Sequence, residues 1–105
     1  MFFQYQVDEQ ITLELQSPYH DHELFTLINE NRAFIGQHLT WANKVNCLKD
    51  IQRYMKRDLQ GMANVRRWAW IIRYEGQAVG RIGLFITMPA LEECELHYFL
   101  GEKFT

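Results

Sequence analysis

Hydrophobic and polar positions change period along the chain, and each change marks an element. Ile11, Leu13 and Leu15 alternate with Thr12, Glu14 and Gln16, the period-two pattern of a strand with one face on a core. Ser17 and Pro18 follow, suited to an N-cap and a first helical position. Leu24, Leu27, Ile28 and, less regularly, Phe34 or Ile35 then form a helical stripe that Gly36 bends or breaks. A connector with apolar anchors, "HLTWANKVN", leads to Asn46 as the expected cap of a second helix. Its stripe is Leu48, Ile51, Met55, Leu59 and Met62, with Lys49, Asp50, Arg53, Lys56 and Arg57 on the solvated side and Gly61 or Asn64 ending it. "RRWAWIIRY" returns to a strand pattern, "EGQ" is a tight turn with Gly76 available for positive φ, and "AVGRIGLFITM" is the partner strand. Gly80 and Gly83 within it suggest a bulge or a close backbone approach. Pro89 marks another turn before the strand "EECELHYFL". The predicted order is β-α-α-β-β-β, an α+β chain with a largely antiparallel meander.

Composition narrows the class. An apolar fraction of 48% and 15 aromatic residues in 105 exclude disorder and allow one packed domain over 1–105. A net charge of −2, from 11 basic and 13 acidic residues with the basic ones dispersed, provides no field for nucleic acid. No apolar run reaches the length of a membrane span and the first ten residues lack a signal-peptide pattern. Cys47 and Cys94 lack a CxxC spacing and are expected to be reduced, mostly buried thiols of a cytoplasmic protein.

With these elements in order, the sequence resembles the GNAT superfamily of acetyl-CoA-dependent N-acetyltransferases, and within it the RimJ/RimL type. "ITLELQSPYHDHELFTLINENRAFIGQHLTW" resembles the family's first strand and helices, with an Asn-Arg pair and then a Trp, here Asn31, Arg32 and Trp41. "WAWIIRYEGQAVGRIGLF" resembles its hairpin, and "CELHYFLGEKFT" its fourth strand. His97 departs from the pattern, since the family usually has Gly there. The resemblance implies a partial GNAT fold, truncated after the fourth strand. The Gly-rich loop that holds the coenzyme A pyrophosphate at a helix N-terminus is not found in these 105 residues, nor are the later strands.

The resemblance also implies roles. Glu95 stands where a carboxylate often acts as base, commonly through water, and alternation puts Glu95, His97 and Phe99 on one face of their strand. A Glu and a His two apart could relay a proton. The backbone of Tyr98, Phe99 and Leu100 would bond the pantetheine arm of acetyl-CoA. Asn31, Arg32 and Trp41 would border the acceptor cleft. The plainer alternatives are that Glu95 and His97 line a solvated cleft or pair with Arg66, Arg67 or Arg81, and that Asn31, Arg32 and Trp41 are a helix-end polar pair and a packed Trp. His20, Asp21 and His22 have no convergent partners for a zinc site, and neither cysteine has the partners of a nucleophile.

Two functions are carried forward. The first is acetyl transfer from acetyl-CoA to an amine, in particular a protein N-terminal α-amine, with weak or no acetyl-CoA binding by these residues alone. The second is a non-catalytic, oligomerising interaction module. An open sheet edge and an uncovered apolar face lead to the expectation of a homodimer or higher oligomer.

Overall fold

The computed structural model describes residues 4–37, 39–88 and 93–105. Five strands form one antiparallel sheet in sequential order: β1 (Gln4–Gln6), β2 (Ile11–Leu15), β3 (Arg67–Tyr74), β4 (Gln77–Met88) and β5 (Glu93–Leu100). Three helices, α1 (Asp21–Glu30), α2 (Arg32–Ile35) and α3 (Leu48–Ala63), lie between β2 and β3 in the chain. The α+β class and the helices-then-meander order are therefore as read from the sequence. β1 is additional: it pairs Tyr5 with Leu13 and makes the expected fourth strand the fifth. Three residues are too few to show an alternation, so only pairing reveals it.

The helix boundaries follow local chemistry. Ser17 caps a 3₁₀ turn over Pro18–His20, its hydroxyl accepting from the Tyr19 amide, and that turn runs into α1. The single long helix of the sequence reading divides at Asn31, which closes α1 and precedes α2. Cys47, not Asn46, is the N-cap of α3. The Asp50 carboxylate accepts from the Asn46 and Cys47 amides at 2.9 and 3.3 Å. Asn64 ends that helix. The β3–β4 turn places Glu75 as well as Gly76 at positive φ, 50° and 83°, as a two-residue hairpin turn requires. The irregularity in this hairpin falls at Ile72/Arg73, where Gly80 faces Ile72 and Ala78 faces Arg73, so Val79 is the extra residue. The turn expected at Pro89 lies outside the described residues.

The stripes of α1 and α3 bury Leu24, Leu27, Ile28, Ile51 and Met55 against Ile71 and Phe99. All three helices cover the same face of the sheet, the one that carries Ala69, Ile71, Arg81 and Phe85. Both cysteines are free and exposed, contrary to the expected burial. Cys47 caps a helix at the surface, and Cys94 stands on an edge strand, opposite Ile86 and on the face without helices.

Candidate active-site cleft

A cleft of about 240 Å³ opens between the connector before α3 and strands β4 and β5, lined by Trp41, Arg81, Phe85, His97, Tyr98 and Phe99 among others. Trp41 belongs to a 3₁₀ turn, Thr40–Lys44, held to both ends of α2. Arg32 donates from Nη1 to the Ala42 carbonyl at 3.0 Å and from Nη2 to Asn29 Oδ1 at 3.0 Å. Asn43 donates to the Gly36 carbonyl at 3.3 Å. The Trp41 ring then packs on Tyr54 at 5.5 Å and Phe99 at 6.1 Å between centroids. Arg32 thus positions the wall of the cleft rather than lining it.

Alternation along β5 turns Glu95, His97 and Phe99 toward the helices. Phe99 is buried, whereas the Glu95 and His97 side chains are 59% and 45% exposed. They pair with each other: His97 Nε2 and Glu95 Oε2 are 2.9 Å apart, and the imidazole lies against Phe85 at 5.0 Å. One end of this pair faces the cleft and the other faces water. Such an arrangement can pass a proton outward from a group bound beside His97.

Arg81, at the cleft floor, does not pair with Glu95 or His97. Its Nη2 donates to Asp58 Oδ2 at 2.7 Å and its Nε to Gln16 Oε1 at 2.5 Å. Gln16 Nε2 donates back to the same Asp58 oxygen at 2.9 Å, and Arg67 reaches Asp58 Oδ1 at 3.3 Å. Burial pushes the Arg81 pKa down from the usual guanidinium range, and Asp58 opposes that loss. A recess of about 100 Å³ extends from the cleft past Trp41 and Phe85 to Tyr54 and Asp58. Asp58 did not figure in the sequence reading. Its signal was its place seven residues after Ile51 and three after Met55, a charge on the apolar side of α3.

Asn31 is elsewhere. It lines a separate opening of about 670 Å³ between α1, the start of β4 and the turn after β5. Its Oδ1 accepts from the Glu102 amide at 2.9 Å while its Nδ2 donates to the Leu27 carbonyl at 2.9 Å. A Cβ on the adjacent Gly101 would stand 3.3 Å from this amide. The Asn-Arg-Trp set of the sequence reading therefore divides into a tie to the C-terminal turn, a clamp on the connector and one wall of the cleft.

β5 is the edge of the sheet. Along Tyr98, Phe99 and Leu100 the backbone groups alternate between facing β4, as the Phe99 carbonyl does beside Gly80, and facing the open edge, and Tyr98 and Phe99 border the cleft.

No family model matches the chain, and no curated protein matches it in sequence. Its fold does have relatives among solved structures: it is α+β and corresponds to a partial GNAT acetyltransferase fold. RimL, a ribosomal-protein α-N-acetyltransferase determined with coenzyme A, superimposes with a TM-score of 0.88 at 18% identity, over 94% of this chain and 56% of that one. The microcin C7 self-immunity acetyltransferase MccE, determined with acetyl-CoA and AMP, gives 0.86 at 24% identity over 93% and 54%. An acetyltransferase from Salmonella typhimurium that modifies the N-terminal serine of a ribosomal protein gives 0.84 at 16% over 96% and 57%. The chain spans a little over half the length of these structures.

Proposed function

We propose that these residues form the acceptor-side half of an acetyl-CoA-dependent N-acetyltransferase, moving acetyl to an amine and specifically to a protein N-terminal α-amine. The observation that carries this is the convergence of Trp41, His97 and the exposed edge of β5 on one cleft. Strand edges recognise extended peptide-like groups through main-chain hydrogen bonds. The pantetheine arm of acetyl-CoA carries two amides, so the backbone groups that alternate outward along Tyr98, Phe99 and Leu100 fit it. The aromatic wall at Trp41 would face the acceptor. The attacking nitrogen forms a bond to the thioester carbonyl carbon and loses one proton, which His97 passes to the Glu95 carboxylate and on to water. The carbon–sulfur bond breaks and the thiolate leaves.

Acetylation of ribosomal-protein N-termini by the RimL relatives supports the acceptor class. Two free cysteines suit a cytoplasmic setting, and no helix among the described residues is long and apolar enough to cross a membrane.

Amide chemical shifts of the ¹⁵N-labelled 105-residue chain, followed during addition of acetyl-CoA, test this reading. The expected response is displacement of the Tyr98, Phe99 and Leu100 amides at millimolar ligand, with no saturation in the micromolar range, because the sequence offers no Gly-rich phosphate loop. Shifts confined to other elements would overturn the assignment. Micromolar affinity would overturn the claim that a phosphate loop is needed.

A further inference from the structure

The recess that runs from the cleft to Asp58 holds more positive charge than its one acid balances. Its walls come from residues between Gln16 and Phe85 and lie between the helices and the sheet. Among the described residues that line it, Asp58 is the one acid, against Arg57 and Arg81, and Arg67 draws on the same carboxylate. Arg57 forms no ion pair with the described residues. Its guanidinium stands over the Tyr54 ring at 5.0 Å, and that of Arg67 over the Phe85 ring at 4.7 Å. Such contacts hold a guanidinium in place without cancelling its charge. Burial lowers the Arg81 pKa most, and the Arg67 and Arg57 charges lower it further against the pull of Asp58.

Arg81 commits Nε to Gln16 and Nη2 to Asp58, while Nη1 bonds to none of the described residues. A Cβ at Gly83 would stand 3.5 Å from that Nη1 and 3.6 Å from Phe85 Cε1. Gly83 faces His97 in register, so Arg81 and His97 are diagonal neighbours with no β4 side chain between them. Diagonal neighbours of this kind stand about 7–8 Å apart. We propose that the recess reads a carboxylate on the acceptor, taking the side chain of an N-terminal glutamate. With its amine beside His97, such a residue lays its side chain across Gly83 and brings its carboxylate to Arg81 Nη1, with Arg57 adding attraction from the rim. A volume of about 100 Å³ is several times the roughly 10–15 Å³ that admits one water. That is room for a carboxylate on one or two methylenes, and a guanidinium donor favours it over the neutral amide of the same shape.

That the carboxylate belongs to the acceptor rests on the acetyl-transfer reading, but its recognition is measured without acetyl-CoA. The ¹⁵N-labelled chain is titrated with the peptide amides Glu-Ala-Ala and Gln-Ala-Ala, and separately with acetate and inorganic phosphate. The Trp41 indole N–H and the Arg81 Nε–H are the reporters. The expected result is displacement of both signals by the Glu peptide with a Kd at least tenfold below that of the Gln peptide, the scale of one hydrogen bond to a charged group. Arg57 is exposed, so Arg57→Gln should leave the fold intact and cut that preference by about threefold, the scale of a partly exposed charge pair. Equal Kd values for the two peptides, no displacement by either at about 20 mM, or a preference that Arg57→Gln leaves unchanged would each overturn the proposal. Acetate or phosphate binding as tightly as the Glu peptide would show an adventitious ion only and overturn it too. Failure of acetyl-CoA to move the β5 amides would remove the acetyl-transfer reading and leave this preference standing, and loss of the preference would leave the β5 response standing.

Discussion

Asp58 shows how one side chain ties the cleft to the stability of the fold. It accepts from Arg81, Gln16 and Arg67, with 13% of its side chain exposed against 10% for Arg81. Removing one member of such a pair leaves the other charge in a poorly solvated place, which costs on the order of 3–5 kcal/mol. Asp58→Ala should therefore lower the unfolding free energy in urea by about that amount. The paired replacement Asp58→Leu with Arg81→Met should cost less than Asp58→Ala alone, because apolar groups of similar volume satisfy the site without a stranded cation. A single variant within about 0.5 kcal/mol of the parent, the range of ordinary surface changes, would show that water reaches Arg81 freely. This residue was legible only in part. A charge on the apolar side of a helix signals a buried partner, but the partner, Arg81, is 23 residues away and no local pattern names it.

At the level of elements, the two glycines of β4 look alike in sequence and differ in structure. A Cβ at Gly80 would collide with the Phe99 carbonyl oxygen and crowd Leu100, whereas at Gly83 the nearest atom is Arg81 Nη1 at 3.5 Å, an ordinary contact. Gly80→Ala should then destabilise by about 1–3 kcal/mol, as overpacked sites do, and broaden or shift the β5 amide signals. Gly83→Ala should remain within about 0.5 kcal/mol of the parent. Equal effects in urea unfolding would remove the proposed close approach of β4 and β5. The same contrast shows where sequence reading stops. Leu48, Ile51, Met55, Leu59 and Met62 declared α3 because a period of 3.6 is local. The faces of β3 were not so declared. Trp68 and Trp70 lie on the face without helices, while Ala69 between them and Ile71 after them are buried on the helix side. Alternation fixes which residues share a face, and only the packing of α1 and α3 decides which face is covered.

For the whole molecule, the helix layer is joined to the sheet by a charge cluster that makes stability depend on pH. Arg73 of β3 donates to Glu14 of β2 at 2.6 Å and, through both terminal nitrogens, to Glu23 of α1 at 2.8 and 2.7 Å. Its guanidinium is held above the usual range by Glu23 first, with Glu14 adding and burial opposing. The Arg73 hydrogen bonds hold the Glu23 carboxyl below its ordinary value of 4.5. Burial pushes Glu14 up, but Arg73 and His20 outweigh it and leave that carboxyl below 4.5 as well. A carboxyl whose pKa is lower in the folded chain contributes stability that is complete above its unfolded value and is lost as pH falls through its folded value. Asp21 acts in the other direction. Burial raises its pKa from 3.8, so its contribution is present at low pH and lost as pH rises through the folded value. The Asn46 and Cys47 amides likewise hold the Asp50 carboxyl below its ordinary value of 3.8, so with three carboxyls lowered against one raised, the net slope should be acid destabilisation beginning near pH 4.5 and deepening below it. Thermal unfolding followed from pH 6 to pH 3 should show the midpoint falling across that window. Arg73→Met, which removes the partner of both glutamates, should flatten the fall while lowering stability at pH 6. If the variant keeps the parent's slope below pH 4.5, the cluster does not set the acid response, and other carboxylates must join the helix layer to the sheet.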